Sequence, residues 1–347
     1  MSNPIRILIV DDSAFIRYTV AKHLEANPDL TVVGSAHDGL EALAQIPTLK
    51  PDVVVLDVEM PRMDGLTALK RIMAECPTPV VMLSALTQRG AQTTIRALMR
   101  GALDFVPKPD AKIDIHTVIE ELSEKIKIAA GTRLATLRTS TVPLAPTLPI
   151  KQGPQLLQKG DRLIVIGAST GGPRALQRVL SKLPAELPAG ILVVQHMPPG
   201  FTRSLAQRLN QTSPLMVQEA ADGDRLGRGM ALLAPGNFHL RFKGFRQVTL
   251  DEGPRRHHVR PAVDVTIESA VEYHRAKVIG VILTGMGQDG TEGASQIKAA
   301  GGKVIAEHKS SSVVYGMPAS VVKAGLADRV VPLSRIAATL TEMVNDG

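Results

Sequence analysis

Five polar residues in the first third of the chain have the types and order needed to bind a cation and handle a phosphoryl group. Asp11 and Asp12 follow one apolar run, Asp57 follows another, and Ser84 and Lys108 follow two later runs. Clustered carboxylates repel one another, a cost that Mg²⁺ offsets. An aspartate in such a site can attack a phosphoryl group while a lysine and a hydroxyl contact its oxygens. Asp11 or Asp12 alone fits a turn or helix cap equally well, but the full set favours phosphoryl chemistry.

A second set, in the other half of the chain, has the types needed for nucleophilic catalysis. Ser169 lies in a glycine-rich turn after one apolar run, His196 ends another, and Asp289 lies in a glycine-rich loop after a third. Taken alone, the turn at Ser169 fits a phosphate site as well as a catalytic serine. A serine needs an imidazole to accept its proton, and the imidazole needs a carboxylate to fix its tautomer. The three together therefore favour a serine hydrolase.

The elements that must position both sets are parallel sheets. In the first ~130 residues, short apolar runs alternate with helical patterns, which predicts five βα units in a flavodoxin-like, doubly wound domain. Such a sheet brings the carboxyl ends of its strands to one crevice, where the carboxylates would meet. The runs lie at residues 5–10, 31–33, 53–56, 79–83 and 103–106.

A second α/β alternation begins at Asp161 and predicts a doubly wound, mostly parallel hydrolytic domain, with an antiparallel hairpin and loop between residues 241 and 260. Prolines crowd the preceding stretch, which favours a linker or an extended strap. The predicted division is therefore a first domain over residues 1–130, a Pro-containing linker over 131–160 and a catalytic domain over 161–347.

Composition narrows the functional classes. No apolar run reaches the ~18 residues of a membrane-spanning helix, the first residues show no signal-peptide pattern, and the one cysteine, Cys76, suits a reducing cytoplasm. The net charge of +7 divides into −2 for residues 1–110 (11 basic, 13 acidic) and +9 for the rest (29 basic, 20 acidic). This basic half permits nucleic acid or an acidic protein as partner. An aromatic content of 3% with no tryptophan disfavours a base-stacking surface.

Residues 4–125 resemble the receiver domain of response regulators, on the motifs IVDDS (9–13), LDVEMPRMDG (56–65), LSA (83–85) and DFVPKP (104–109). The resemblance implies that Asp57 is phosphorylated. It also implies that Asp11, Asp12, Asp57 and the Glu59 backbone carbonyl hold Mg²⁺. Ser84 and Lys108 would contact the phosphoryl group, and Phe105 occupies the aromatic switch position.

The whole chain resembles the CheB family of chemotaxis methylesterases, with receiver, linker and esterase domain in family order. The second half carries the family's motifs GASTGGP (167–173), VVQHMPPGFT (193–202), LAPGNFHL (233–240), RPAVDV (260–265), ILTGMGQDG (282–290) and SSVVYGMP (311–318). The resemblance implies Ser169 as nucleophile, His196 as general base and acid, and Asp289 as the orienting carboxylate. The backbone N–H groups of Thr170 and Met286 would form the oxyanion hole, with no cofactor in the esterase site.

The same resemblance implies a phosphorylation-activated enzyme that hydrolyses glutamate methyl esters, and deamidates certain glutamines, on cytoplasmic helices of chemoreceptors. A histidine kinase of the pathway would donate the phosphoryl group, and we expect a cytoplasmic monomer that inserts into no membrane and binds no nucleic acid. Two alternatives are a DNA-binding response regulator, disfavoured because no helix-turn-helix is evident after residue 160, and a non-catalytic scaffold, disfavoured by the intact serine, histidine and aspartate. His257 and His258, beside two arginines, are read as solvated charge, and the role of His308 stays open.

Overall fold

A computed structural model describes residues 3–109, 115–132 and 155–346. The chain divides into two compact units, residues 1–141 and 142–347. The last helix of the first unit, Ile115–Gly131, ends where the predicted linker (131–160) begins. Most of that linker lies outside the described residues, so the domain bounds stay a prediction. No described helix is long and apolar enough to cross a bilayer.

The first unit is a five-stranded parallel sheet of order β2-β1-β3-β4-β5 with a helix after each strand, as predicted. Its strands are nearly continuous apolar runs because helices cover both faces. The strand order reverses between β1 and β3, so their carboxyl ends open the crevice that Asp11, Asp12 and Asp57 face. The elements are β1 Ile5–Val10, α1 Ala14–Leu24, β2 Leu30–Ala36, α2 Gly39–Leu49, β3 Val53–Asp57, α3 Gly65–Glu75, β4 Val80–Ser84, α4 Gln88–Arg100, β5 Asp104–Pro107 and α5 Ile115–Gly131.

The second unit contains a seven-stranded sheet of order β14-β13-β12-β6-β7-β9-β8, in which each pair of neighbours is parallel. The predicted hairpin is confirmed as the separate antiparallel pair β10–β11. Strands β8 and β14, which the sequence pattern did not predict, extend the two edges. The elements are β6 Arg162–Ala168, α6 Gly172–Leu180, β7 Ala189–Gln195, α7 Phe201–Thr212, β8 Met216–Glu219, β9 Met230–Leu233, β10 His239–Phe242, β11 Val248–Asp251, α8 Val263–His274, β12 Val278–Ile282, α9 Thr291–Ala299, β13 Lys303–Glu307, α10 Met317–Lys323, β14 Arg329–Val331 and α11 Leu333–Asn345.

This sheet also has a switch point, between its central strands β6 and β12. From β6 the chain proceeds to β7, β8 and β9 on one side, and then returns to β12, β13 and β14 on the other. Ligand sites of open α/β sheets lie in the crevice outside the carboxyl ends of the strands at such a point. The loops that follow β6, β7 and β12 carry Ser169, His196 and Asp289 respectively.

Candidate active site and phosphoacceptor site

Ser169 and His196 leave the sheet side by side. Ala168 and Gln195, the last residues of β6 and β7, are paired in the parallel register, and Ser169 and His196 come directly after them. The His196 backbone N–H donates to the Ala168 carbonyl at 3.1 Å, which holds the start of the two loops together. Both side chains are half-buried, as suits groups that meet a substrate at the mouth of a crevice.

His196 and Asp289 form a hydrogen-bonded imidazole–carboxylate pair, with Nε2 2.7 Å from Oδ2. Asp289 is 2% exposed. It accepts two further hydrogen bonds, from the backbone N–H groups of Val263 (2.7 Å) and Asp264 (3.0 Å) at the start of α8. Burial raises the pKa of Asp289, but the hydrogen bond and charge of His196 and these two N–H groups outweigh it, so the pKa lies below its usual value. Asp289 is therefore held as a carboxylate.

Ser169 follows the neighbouring strand end, and its hydroxyl is not hydrogen-bonded to His196 among the described residues. Catalytic hydrogen bonds are commonly long in structures of enzymes without substrate. Because Nε2 is engaged with Asp289, Nδ1 is the ring nitrogen that remains for another partner. The structure thus joins two of the three predicted catalytic side chains directly and places the third on the neighbouring strand end.

The predicted oxyanion donors belong to the two backbone segments that meet at Ser169. Thr170 follows it in the turn, and Met286 lies in the loop after β12. These segments touch: the Ser169 N–H donates to the Thr284 carbonyl at 3.0 Å. A Cβ on Gly285 would lie 2.8 Å from the Ser169 Cβ, so only glycine allows the loop this close to the nucleophile. The backbone after β12 therefore borders the serine, as an oxyanion hole requires.

Gln195 is a site residue that the sequence reasoning missed. Its side chain is 2% exposed, and its Nε2 donates to the backbone carbonyls of Ser169 (2.9 Å) and His196 (3.1 Å). One amide group thus bridges the main chains of Ser169 and His196. The available signal was a polar residue closing an otherwise apolar run, next to the histidine.

His257 corrects the sequence-based reading of its loop as solvated charge. It is half-buried, and its Nε2 lies 2.8 Å from Oδ2 of the buried Asp264. Burial and the charge of Asp289 raise the pKa of Asp264 to about 6. His257 and His258 have φ values of 52° and 64°, in the left-handed region that non-glycine residues rarely occupy. A second imidazole–carboxylate pair therefore adjoins the first.

The acidic set of the first unit is confirmed as a cluster. Ligand atoms of Asp11, Asp12 and Asp57 all lie within 4.8 Å of one another. Lys108 Nζ lies 2.8 Å from Oδ2 of both Asp11 and Asp57. Both Oδ2 atoms are buried, and among the described residues the Lys108 ammonium is the one cation within ion-pair distance of them. Burial and the Asp11 charge raise the pKa of Asp57 to about 6, although Lys108 acts in the opposite direction.

The other predicted residues of this site surround the cluster. The backbone N–H of Glu59 bonds the Asp57 carboxylate, so the Glu59 main chain lies beside the cluster. Ser84 is fully buried at the end of β4, and its Oγ accepts from Thr94 Oγ1 at 2.7 Å rather than contacting Asp57. Phe105 is 3% exposed, with the Lys125 ammonium 5.4 Å from its ring centroid.

The chain matches known families over most of its length. Residues 164–340 match the CheB methylesterase family, and residues 7–120 match the response regulator receiver domain. A protein-glutamate methylesterase/protein-glutamine glutaminase of Symbiobacterium thermophilum is 50% identical over 100% of this chain and 99% of its own length. Its counterpart in Thermotoga maritima is 48% identical over 98% of both chains.

One solved structure agrees with the second unit. The CheB methylesterase catalytic domain of Thermotoga maritima is 51% identical to this chain, with a TM-score of 0.52, and it covers 53% of this chain and 99% of its own. The structural match agrees with the fold of the second unit, and the full-length relatives agree with the motifs of both units. The chain therefore belongs to the CheB methylesterase family and carries a response regulator receiver domain.

Proposed function

We propose that this chain is a phosphorylation-activated protein-glutamate methylesterase and protein-glutamine glutaminase. Its substrates are glutamate methyl esters and certain glutamines on the cytoplasmic helices of chemoreceptors. The observation that carries the proposal is the His196–Asp289 hydrogen bond beside the strand end that carries Ser169, at the switch point of the second sheet. The part of the chain that forms this sheet matches the CheB methylesterase family. Full-length relatives that carry this activity in their names support it.

The catalytic steps follow from this arrangement. Ser169 Oγ attacks the ester carbonyl carbon while its proton moves to His196, and the oxyanion accepts from the backbone N–H groups of Thr170 and Met286. The intermediate collapses, the C–O bond breaks, and methanol leaves with the proton held by His196. Water then attacks the acyl-enzyme and restores Ser169, leaving a glutamate carboxylate on the receptor. With a glutamine substrate, ammonia leaves instead of methanol.

Asp289 contributes orientation and charge. Because its carboxylate is fixed by the two α8 N–H groups, it holds His196 in one ring orientation. It also stabilises the imidazolium that forms after proton transfer. No cofactor is needed for these steps.

In the receiver, we propose Asp57 as the residue that a histidine kinase of the pathway phosphorylates. Asp11, Asp12, Asp57 and the Glu59 carbonyl would hold Mg²⁺, and Ser84 and Lys108 would contact the phosphoryl oxygens, with Phe105 as the switch residue. The donor set fits the cation because ligand atoms of Asp11, Asp12 and Asp57 lie within 4.8 Å of one another, and all its members are hard oxygens. When bound, Mg²⁺ neutralises charge on the carboxylates and the phosphoryl group.

The remaining assignments are part of the same proposal. The chain works in the cytoplasm as a monomer, with the receiver over residues 1–130 and the catalytic domain over 161–347. The +9 balance of residues 111–347 suits receptor helices rich in carboxylates. Long-range attraction of this kind weakens with salt. We therefore expect kcat/KM on receptors to fall as salt rises from low to physiological concentration.

Methanol release from membranes that hold methylated receptors tests the proposal. Wild type should release methanol, and acetyl phosphate with Mg²⁺ should accelerate it. Ser169→Ala should lose about 10⁴–10⁶-fold in kcat, because triad members act as a unit. Asp57→Asn should not respond to the phosphodonor. Turnover of Ser169→Ala within tenfold of wild type would refute Ser169 as the nucleophile.

A further inference from the structure

Glu307 is a buried carboxyl group in the hydrolytic domain that the catalytic steps above do not use. It is the last residue of β13 and is 0% exposed. Its Oε2 accepts from the Thr284 backbone N–H at 2.8 Å, and its Oε1 accepts from Ser311 Oγ at 2.9 Å. A fully buried carboxyl group is costly unless it is hydrogen-bonded, so its retention here calls for a structural or catalytic reason.

Thr284, the partner of Glu307, connects three backbone segments around the nucleophile. Its carbonyl accepts from the Ser169 N–H at 3.0 Å. Its Oγ1 donates to the Thr170 carbonyl at 2.9 Å and accepts from the Val314 N–H, also at 2.9 Å. Because Thr284 contacts both Ser169 and Thr170, a shift of its backbone would move the nucleophile and a proposed oxyanion donor together.

We propose that Glu307 is a positioning residue for ester hydrolysis, which fixes Thr284 and, through it, the backbone of Ser169 and Thr170. The inference rests on the proposed role of Ser169 as nucleophile. Glu307 touches no reacting atom. It supplies the only side-chain acceptor that the described residues offer to the Thr284 N–H, which would otherwise be a buried donor without a partner.

The network around Glu307 accommodates both protonation states. Burial raises the pKa of Glu307 to about 7, against the opposing effects of the hydrogen bonds from Thr284 and Ser311 and of the charge of Arg178 on α6. A proton on Oε1 can be donated to Ser311, whose hydroxyl then turns to the His308 carbonyl at 3.2 Å. Oε2 keeps the Thr284 N–H in either state. The neighbouring His308 ring does not compete for Glu307, because its Nδ1 bonds Ser310 at 2.8 Å.

This geometry distinguishes two substitutions. Glu307→Gln mimics the protonated carboxyl: the amide oxygen accepts from Thr284 and the amide nitrogen donates to Ser311. Glu307→Met keeps the size of the side chain but removes the acceptor. We expect Glu307→Gln to keep kcat within about threefold and to flatten any change of kcat around pH 7. Glu307→Met should lower kcat about 10–10²-fold with KM unchanged, as small misplacements of reacting groups do.

Thr284 supplies a second pair of variants in case Glu307→Met does not fold. Thr284→Val removes the hydroxyl that bonds Thr170 and Val314, and should lower kcat to a similar degree. Thr284→Ser retains the hydroxyl and should restore kcat to within about threefold of wild type. Glu272→Gln, an exposed carboxyl on α8, serves as the matched control and should behave as wild type.

The experiment measures kcat and KM for methanol release between pH 5.5 and 8.5, together with the rate at which a fluorophosphonate labels the active-site serine. Slower labelling of Glu307→Met and Thr284→Val, with normal labelling of Glu307→Gln and Thr284→Ser, supports the positioning role. If Ser169→Ala is inactive but folded Glu307→Met or Thr284→Val turns over as wild type, the positioning inference alone fails. If Ser169→Ala keeps its activity, the positioning inference and the nucleophile assignment fail together.

Discussion

The receiver and the hydrolytic domain place buried aspartates at equivalent positions in two parallel sheets, yet the two environments act on the carboxyl group in opposite ways. Asp57 ends β3, next to the β1/β3 switch point, and its pKa is raised to about 6. Asp289 follows β12, next to the β6/β12 switch point, and its pKa is lowered. Both side chains are almost fully buried, at 2% exposure, so burial alone does not explain the difference.

Neighbouring charges and hydrogen-bond donors explain it. Asp289 accepts hydrogen bonds from two backbone N–H groups and from His196. Asp57 lies against the Asp11 carboxylate, whose charge raises its pKa, and it shares the ammonium of Lys108 with Asp11. A carboxylate that orients a neighbour works best with its lone pairs occupied. The proposed role of Asp57, to bind a cation and attack phosphorus, needs oxygens that those partners can reach.

The residues that precede the helices also differ between the two domains. In the receiver, α1, α2, α3 and α4 begin after Ser13, Asp38, Asp64 and Thr87, whose side chains accept from backbone N–H groups of the first turn. In the hydrolytic domain, α6, α7 and α9 begin after glycines with positive φ and without a side-chain cap. These three helices therefore lack a capping side chain at the residue before the helix, although the Gly293 N–H in the first turn of α9 donates to Asp264 Oδ1 at 2.7 Å.

The largest effect on kcat is expected from neutralising Asp289, whose carboxylate accepts three hydrogen bonds. Asp289→Asn should lower kcat about 10⁴-fold, because an amide cannot fix the catalytic tautomer of His196 or stabilise its cation. Methanol release measures this, with Asp346→Asn, an exposed carboxyl at the end of α11, as the matched control. A loss of less than tenfold would mean that the His196–Asp289 contact is structural rather than catalytic.

Asp57, by contrast, should destabilise the folded receiver. The pKa of Asp57 is about 6 when folded, against a usual value of 3.8, so the folded receiver binds the extra proton more tightly. Stability is therefore lost as pH rises from about 4 to about 6, by an amount of the order of 3 kcal/mol. Without Mg²⁺, we expect Asp57→Asn to stabilise the receiver, with a gain that grows over this pH range.

Calorimetry of the receiver transition in the full chain measures that gain. Addition of Mg²⁺ provides the control, since it should stabilise wild type and leave Asp57→Asn almost unchanged. If Asp57→Asn were less stable than wild type at pH 7.5 in chelator, the ionised Asp57 carboxylate would not be destabilising the folded receiver.

A smaller effect is expected from the amide that joins the two catalytic strand ends. Gln195→Met removes both hydrogen bonds to the Ser169 and His196 carbonyls while retaining the size of the side chain. Because these bonds set main-chain position, kcat should fall about 10–10²-fold with KM unchanged. Gln218→Met on the edge strand β8 is the control. An effect on KM alone would place Gln195 in substrate binding instead of positioning.

The sequence predicted the candidate site residues that come at the ends of strands. It missed residues that contact the main chain of the site rather than one of its side chains. Ser169, His196, Asp289 and Asp57 each follow an apolar run, so strand periodicity and parallel topology were enough to bring them to two crevices. Thr284 bonds Ser169, and Glu307 bonds Thr284 across the ends of β12 and β13, which pair in one particular register. That register depends on long-range packing. The local pattern of a single chain does not contain it.

His257 illustrates the same limit in a loop. Its neighbours in the sequence are basic, which favours a solvated reading, whereas its contact with Asp264 depends on two consecutive residues adopting positive φ. The sequence does not predict positive φ at these two positions, because neither residue is glycine or asparagine. The clustering of Asp11, Asp12 and Asp57 was easier to predict, since their motifs are contiguous with their strands.

The smallest effect is expected from the second imidazole–carboxylate pair. Asp264, whose pKa is raised to about 6, lies beside Asp289, so its charge changes next to the His196–Asp289 pair as pH passes through that value. Asp264→Asn removes the charge and keeps an oxygen that can accept from the Gly293 N–H, as Asp264 Oδ1 does at 2.7 Å. The kcat/KM profile should therefore lose any contribution that titrates near pH 6, a change of less than threefold, and kcat at pH 8 should also change by less than threefold.

His257→Gln is the matched variant, because it retains a hydrogen-bond donor to Asp264 without a titratable ring. If the charge of Asp264 acts on the neighbouring Asp289, Asp264→Asn should alter the kcat/KM profile near pH 6, whereas His257→Gln should alter it less. A profile of Asp264→Asn that coincides with wild type at every pH would show that the two carboxylates are electrostatically independent. The lowered pKa of Asp289 would then depend on its three donors alone.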